Sequence, residues 1–309
     1  MNIENVTTED EIYFLGFPGL GDIRFLLFIL ILLLCTVTVL LDGMIVTPMQ
    51  TRRSLHSPMY FFLKNFLLSE MCLVVIVVPN MLYIIWMDGA TISITGCITQ
   101  SYLFVSTGSS DCYLLTVMSY DRYLAICKPL HYHTIMNRTF QCFLVLFCWM
   151  LGFLLPLITL SFLALLKFCG RNVIDHYFCD LAPLMDTACS DTTGLQIDTF
   201  VLSIPMVAVP FLLTIVSYMC ISVAILRMPT ISSRKKAFST CSTHLLVVSL
   251  SYGAVLINYF TPVSGHSMAT NKMLSVIFTV ITPLFNPIIY CLRNQEMHAA
   301  ICSYIQWWK

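Results

Sequence analysis

Apolar residues gather into seven long runs along the chain, near residues 24–49, 58–86, 96–126, 139–166, 197–226, 237–260 and 272–292. A helix needs about 20 mostly apolar residues, at roughly 1.5 Å rise each, to cross a hydrocarbon core of about 30 Å. Each run meets that length, so the pattern predicts seven membrane-spanning helices. The third is the weakest by hydropathy, because Asp111 and the polar stretch 106–110 interrupt it. Connections are short apart from 167–196, and neither an internal repeat nor a low-complexity linker divides the chain. The expected fold is an all-α membrane protein, a seven-helix bundle over 24–292, with a tail over 1–23 and a short tail over 293–309. In the last segment Ile301, Tyr304, Ile305 and Trp308 could form the apolar face of an interfacial helix.

Composition sharpens this picture. Of 309 residues, 58% are hydrophobic and only 10% charged, whereas a soluble domain is roughly a quarter charged. Disordered chains need the opposite balance, and a soluble globule would lack polar side chains to cover its surface. The 16 basic and 16 acidic residues cancel, so there is no overall basic field and no nucleic-acid partner is expected.

The placement of those charges predicts orientation. Arg52, Arg53, Lys64, Arg122, Lys128, Arg138, Arg227, Arg234, Lys235, Lys236, Arg293 and Lys309 put 12 of the 16 basic residues on one side, which the positive-inside rule makes cytoplasmic. The N-terminus, with Glu4, Glu9, Asp10 and Glu11, and the long 167–196 segment then lie outside. Asn5-Val6-Thr7 is a glycosylation sequon on that outer side, whereas Asn137-Arg138-Thr139 faces the cytoplasm and should stay unmodified. Residues 1–20 lack a basic-then-apolar leader, so the first run is expected to act as an uncleaved anchor.

Fourteen cysteines are scattered along the chain, most of them inside the runs, where they behave as small hydrophobes. Cys97, Cys169, Cys179 and Cys189 fall on the outer side, where disulfides persist. Four cysteines allow three pairings, and spacing does not choose between them. No pair of Cys-x-x-Cys motifs has zinc spacing, so no zinc-type metal site is expected. Asp42, Glu70 and Asp111 lie inside the runs, where a carboxylate is costly unless paired or wet, so each is a candidate functional residue.

Four blocks recur at fixed places relative to the spans. Leu55-His56-Ser57-Pro58-Met59-Tyr60-Phe61-Phe62 opens the second. Met118-Ser119-Tyr120-Asp121-Arg122-Tyr123-Leu124-Ala125-Ile126-Cys127-Lys128-Pro129-Leu130-His131-Tyr132 closes the third. Lys236-Ala237-Phe238-Ser239-Thr240-Cys241-Ser242-Thr243-His244-Leu245 opens the sixth, and Pro283-Leu284-Phe285-Asn286-Pro287-Ile288-Ile289-Tyr290 closes the seventh. Over about Phe17 to Asn294 the chain resembles the olfactory receptors, of the tetrapod-type class II, within the rhodopsin-like G-protein-coupled receptors.

That resemblance implies roles for particular residues. Asp121, Arg122 and Tyr123 would form the cytoplasmic switch, with Arg122 held by Asp121 at rest and taken up by Tyr218 and Tyr290 when the helices separate. Lys235 and Lys236 would face the docking G protein. Asn286 and Pro287 would make the hinge that swings Tyr290 inward, a reading that fits the donor a proline removes from a helix. Pro210 invites the same two readings, kink or hinge. His244 is either a satisfied core histidine or a polar latch to the third span. Family position also brings Asp42, Glu70 and Asp111 together at mid-depth. There they would share a cation, sodium being expected, or hold a proton, since like carboxylates raise each other's pKa. Most relatives have asparagine where Asp42 stands. The family pairs Cys97 with Cys179 and Cys169 with Cys189, folding the long outer segment into a lid.

Beneath that lid the resemblance places a cavity lined by Phe104, Val105, Gly108 and Ser109 from the third span and Leu202, Ser203 and Met206 from the fifth. Tyr252, Val255 and Tyr259 would come from the sixth, and Asp180 and Leu181 from the lid. Tyr252 is the expected link from cavity to cytoplasmic end. Aminergic relatives in the wider superfamily carry an acid where Phe104 stands, and no basic residue is expected in the cavity. A small, mostly apolar neutral volatile follows as the ligand class, for instance an alcohol, aldehyde, ketone or ester. The implied partners are a stimulatory, olfactory-type heterotrimeric G protein that raises cyclic AMP and the plasma-membrane bilayer. A transporter would show internal repeats with interrupted helices. A hydrolase would show His-Glu-x-x-His or Gly-x-Ser-x-Gly, and neither motif is present.

Overall fold

A computed structural model describes residues 11–52, 55–169, 172–260, 268–293 and Met297; the side chains at 236, 240, 257–260, 268–271 and 292–293 are outside that description. Asn5 and the interfacial-helix residues after 297 also fall outside the described residues.

The order is β1 (Glu11–Phe14), α1 (Ile23–Thr51), α2 (Pro58–Met87), β2 (Ala90–Ser93), α3 (Ile94–Cys127), α4 (Pro129–Ile135), α5 (Arg138–Leu154), α6 (Pro156–Leu163) and β3 (Val173–Ile174). Then follow α7 (Leu181–Thr187), α8 (Thr193–Ser203), a π-helical turn (Ile204–Ala208), α9 (Val209–Leu226), α10 (Ile231–Phe260), α11 (Met268–Val276), a second π-helical turn (Ile277–Ile281) and α12 (Thr282–Arg293).

Among the described residues, six helical stretches are long and apolar enough to cross a membrane: Ile23–Thr51, Pro58–Met87, Arg138–Leu163, Thr193–Leu226, Ile231–Leu256 and Lys272–Cys291. The helix outside this set is α3. Its 34 residues are long enough, but it is rich in Ser, Thr and Gly and carries Asp111, Asp121 and Arg122. The reason is position: α3 runs through the middle of the bundle and packs most densely on α2, α9 and α5. Its polar atoms therefore meet other helices rather than hydrocarbon. At Gly152 of α5 the two backbones approach so closely that an added Cβ would lie 2.0 Å from Ser110 Oγ.

Local chemistry sets the helix ends. Ser93 Oγ accepts from Gly96 N at 3.1 Å to start α3, and Asn137 Oδ1 accepts from Phe140 N at 2.9 Å to start α5, each satisfying an otherwise orphaned amide. Asn137 of the second sequon is thus a helix cap. Pro156 opens α6 at a position where a missing N–H costs little and divides the fourth span in two. Pro210 stands likewise in the first turn of α9, directly after the first π-helical turn. The irregular backbone there is held by α3, because Tyr113 OH donates to Pro205 O and Thr116 Oγ1 donates to Pro210 O, both at 3.0 Å.

The outer face carries a structure that the all-α expectation did not include, a three-stranded sheet in the order β2-β1-β3. β1 is antiparallel to β2, with Glu11 opposite Ser93 and Phe14 opposite Ala90, and parallel to β3, with Tyr13 beside Val173. Glu-Ile-Tyr-Phe alternates polar and apolar positions, and Ile12 and Phe14 are fully buried against Cys97, Cys179 and Leu184. Each such side chain is worth about 1.5–3 kcal/mol of burial, enough to hold residues 11–14 as a strand instead of a free tail. Two disulfides complete the lid, Cys97–Cys179 with Cα atoms 5.2 Å apart and Cys169–Cys189 at 5.8 Å. They match the pairing expected from the family.

Candidate ligand cavity and cytoplasmic switch

The residues named from the third and fifth spans meet around one partly open cavity of about 390 Å³. Phe104, Val105, Gly108 and Ser109 line it from α3, Leu202, Ser203 and Met206 from α8 and its π-helical turn, Val255 from α10, and Asp180 and Leu181 from the lid. Gly108 faces open space, with nothing within 4 Å of an added Cβ. Phe104 closes the inner wall, its ring 4.9 Å from Phe178 of the lid and 5.8 Å from Phe278. Tyr252 does not line this space. Its hydroxyl donates to Cys112 O at 3.2 Å and its ring lies 4.9 Å from Phe211, so it touches the cavity through Cys112, which does line it. The Tyr259 side chain is outside the described residues.

Sequence reasoning missed Thr159, Met185, Gln196, Thr199 and Phe278 as lining residues. The signal for two of them was present: Gln196, Thr199 and Ser203 recur at i, i+3 and i+7, a polar stripe along an otherwise apolar helix. Thr159 was hidden because its partner is remote in sequence; its Oγ1 donates to buried Asp198 Oδ2 at 2.7 Å, tying α6 to α8.

The lid is closed by charge as well as by sulfur. Buried Lys272, at the head of the last span, donates from Nζ to Gly16 O and to Asp175 Oδ1, both at 2.5 Å. It thereby joins the N-terminal segment, the long outer loop and α11. His176 beside it stacks on Tyr177 at 4.7 Å. Burial, and then the Lys272 charge, hold the imidazole down at about 3, so it is neutral at physiological pH. Asp180 caps α7, accepting from Leu181 N at 2.8 Å, and burial lifts its carboxyl to about 6. No Lys, Arg or His lines the cavity among the described residues.

Below the cavity, Glu70 and Asp111 face a smaller space of about 30 Å³ shared with Ser251, Tyr252 and Thr282, roughly the volume of one water molecule. Asn286 Nδ2 donates a short hydrogen bond to Glu70 Oε1. Glu70 Oε2, Asp111 Oδ1, Asn286 Oδ1 and both oxygens of Asp42 are buried without a hydrogen-bond partner among the described residues. Asp42 is not in the wall of the small space, although its charge acts on Glu70 along with that of Asp111. Among the described residues, no three His, Cys, Asp or Glu side chains come close enough to hold a metal ion together.

At the end of the bundle opposite the lid Arg122 is clamped to its neighbour. Nη2 lies 2.6 Å and Nε 3.1 Å from Asp121 Oδ2, while Tyr132 OH of α4 donates to Asp121 Oδ1 at 2.8 Å. Tyr123 packs against the Tyr218, Ile221 and Cys241 cluster. Of the two readings of His244, the structure supports the core histidine: it is buried and shares a short hydrogen bond through Nδ1 with Tyr218 OH of α9, not with the third span. The reason is direction, since the ring lies 5.9 Å from Tyr218 and nearly parallel to it. The Tyr290 hydroxyl is buried with no partner among the described residues. Pro287 lies inside α12 and Lys235 is exposed, while the Lys236 side chain lies outside the described residues.

The structure is thus a helical membrane bundle with a lidded cavity at one end and a clamped arginine at the other. A sequence-family model described as olfactory receptor matches residues 28–306. Human olfactory receptor 10A7 is 42% identical over 301 residues, covering 97% of this chain and 95% of its own length. Human olfactory receptor 6B1 is 39% identical over 301 residues, covering 97% and 96%. Mouse olfactory receptor 6Z7 is 39% identical over 305 residues, covering 99% and 98%. The chain belongs to the olfactory receptor family, multi-pass G-protein-coupled receptors and not enzymes.

Proposed function

We propose that the chain is an odorant receptor that takes a small, mostly apolar neutral volatile into the cavity of about 390 Å³ and activates a stimulatory, olfactory-type G protein, raising cyclic AMP. In this reading it sits in the plasma membrane with seven spans, α3, the third, joining the six that are apolar along their length. The N-terminus lies outside with the lid and the C-terminus in the cytoplasm. The observation that carries it is the cavity itself: Phe104, Leu202, Met206 and Val255 supply apolar wall, and no cation lines it among the described residues.

Ligand binding can shift the resting state only if the ligand prefers the state with the cytoplasmic end open. Space in the cavity is therefore the first thing to remove. Gly108→Leu places its Cβ where no atom stands within 4 Å, with the rest of the side chain directed into the cavity wall, and improves helix propensity by up to about 1 kcal/mol. Surface expression should be unchanged, while odorant potency falls at least tenfold in a dose–response assay. Equal potency would place the ligand elsewhere.

Tyr252 supports a route from cavity to cytoplasm, because its hydroxyl bonds to the backbone of cavity residue Cys112 and its ring lies against Phe211 of α9. Tyr252→Phe keeps the ring and deletes one buried hydrogen bond, a change of about 0.5–1.5 kcal/mol. The maximal cyclic AMP response should fall while surface expression holds; a full response from the variant would reduce Tyr252 to packing.

Glu70 and Asp111 face the same small space and, with Asn286 of α12 hydrogen-bonded to Glu70, suit a monovalent cation. The donors are hard oxygens, several are without partners, and no basic side chain lines the space among the described residues. A bound sodium ion would supply positive charge between α2 and α3. Asp42 stands nearby as a third buried carboxyl without a hydrogen-bond partner among the described residues. Raising sodium should shift the odorant dose–response curve, and Asp42→Asn should alter the sodium dependence; indifference to sodium in both proteins would remove the cation from the account.

On the cytoplasmic side, α4 presents Leu130, 91% exposed and the most exposed large apolar residue described. It stands two residues before Tyr132, which grips Asp121. An apolar anchor next to the arginine clamp suits a partner that must both dock and release the clamp.

A further inference from the structure

The hydrogen-bond protons of the cavity wall are already spoken for. Ser109 Oγ donates to Val105 O at 2.7 Å, Thr159 Oγ1 to Asp198 Oδ2 at 2.7 Å, Thr199 Oγ1 to Leu195 O at 2.8 Å and Ser203 Oγ to Phe200 O at 2.7 Å. A hydroxyl that turned toward a ligand would give up the bond it makes. Gln196 spends one N–H on Thr192 Oγ1 at 3.2 Å, and its side chain is exposed at the rim, where water competes. The Cys112 thiol is a weak donor.

Acceptors are in surplus. Each hydroxyl oxygen keeps lone pairs free, and Asp180 spends one carboxylate oxygen on the Leu181 amide. Among the described residues its Oδ2 takes no hydrogen bond and Asp180 forms no ion pair. Asp180 is buried yet lines the cavity, which brings its carboxylate within reach of a ligand.

From this imbalance, and resting on the odorant reading above, we infer that the cavity selects ligands that donate a hydrogen bond, alcohols and phenols, over aldehydes, ketones and ethers of the same carbon skeleton, and that the Asp180 carboxylate receives the bond. A carbonyl or ether oxygen would bring one more acceptor to a wall that has no free buried hydroxyl proton to offer it. A protonated amine would bring a full charge and three N–H donors to a space that offers one unspent carboxylate oxygen, whereas a hydroxyl brings one donor. At neutral pH the Asp180 carboxyl is above its titration point of about 6 and acts as an acceptor. Hydrogen bonds to a charged acceptor are also roughly twice as strong as neutral ones.

The test is a matched set, a primary alcohol, the aldehyde and the methyl ether of one carbon chain. Binding is read as the shift in melting temperature of the purified receptor, and signalling as cyclic AMP in cells. The alcohol should bind about tenfold more tightly than either analogue, as expected for a charge-assisted bond. Asp180→Asn keeps a helix-capping side chain but replaces the pure acceptor with an amide that can also donate. In that variant the preference should shrink to about threefold or less, with expression retained. Equal affinity across the set, a preference for the aldehyde or ether, or an unchanged preference in Asp180→Asn overturns the inference. Selective binding of the alcohol with no cyclic AMP response leaves the inference standing and counts against the odorant-signalling reading instead.

Discussion

Asp121→Asn should raise cyclic AMP in the absence of any odorant, by about tenfold or more, while Arg122→Ala should abolish the odorant response. The opposite signs follow from the clamp. Arg122 is held by two contacts to Asp121 Oδ2, at 2.6 and 3.1 Å, and its side chain is 11% exposed. Removing one partner of a buried pair costs about 3–5 kcal/mol, because the other charge is left uncompensated. In Asp121→Asn that cost falls on the resting state, where Arg122 is clamped. An open state in which Arg122 meets other partners escapes it. A difference of about 1.4 kcal/mol changes a population ratio tenfold, so even half of the lower estimate is visible as basal activity. Arg122→Ala removes the group the open state would use. Tyr132→Phe, which deletes only the 2.8 Å bond to Asp121 Oδ1, should raise basal activity in the same direction but less. Surface-normalised cyclic AMP checks all three, and unchanged basal activity in Asp121→Asn would mean the clamp is only an interfacial anchor.

Cys97→Ser should reduce the folded receptor at the cell surface at least tenfold, whereas Cys169→Ser should leave most of it in place. The first bridge spans 82 residues and the second 20. In the chain-entropy account these loops are worth about 4.5 and about 3.3 kcal/mol, a difference too small to produce such a contrast. Position decides it. Cys97 and Cys179 are both fully buried under Ile12, Phe14 and Leu184, so losing that bridge opens the core beneath the sheet. Cys169 and Cys189 are exposed at the rim. Surface immunolabelling with a conformation-sensitive antibody measures this, and equal losses from the two variants would contradict the ranking.

Much of this arrangement is readable in the amino-acid order, for a physical reason. Lipid requires every backbone polar group to be satisfied within the helix or by neighbouring protein, so apolar runs report helices directly, and the named cavity residues of α3 and α8 share a wall because helical spacing puts them on one face. Where the sequence reading fell short, the cause was pairing between remote segments. β1 is only four residues long, and nothing in Glu-Ile-Tyr-Phe announces that β2 and β3 will flank it. Thr159 meets Asp198 and Lys272 meets Asp175 across long separations that no local period encodes. The two π-helical turns, Ile204–Ala208 and Ile277–Ile281, rotate the faces on either side of them. That brings Phe278 into the cavity wall, outside the set named from the sequence. Tyr252 was assigned to the ligand but supports the wall from behind, while the two readings of His244 are separated only by its contact with remote Tyr218.

The most direct measurement is a cyclic AMP dose–response in cells that express this chain with a stimulatory olfactory-type G protein, exposed to a panel of neutral volatiles and run in parallel with Gly108→Leu. The account predicts a saturable rise to at least one volatile that disappears when the G protein is withheld and weakens at least tenfold when the cavity is filled. No response across the panel, or a response that persists without the G protein or with the cavity filled, would contradict it.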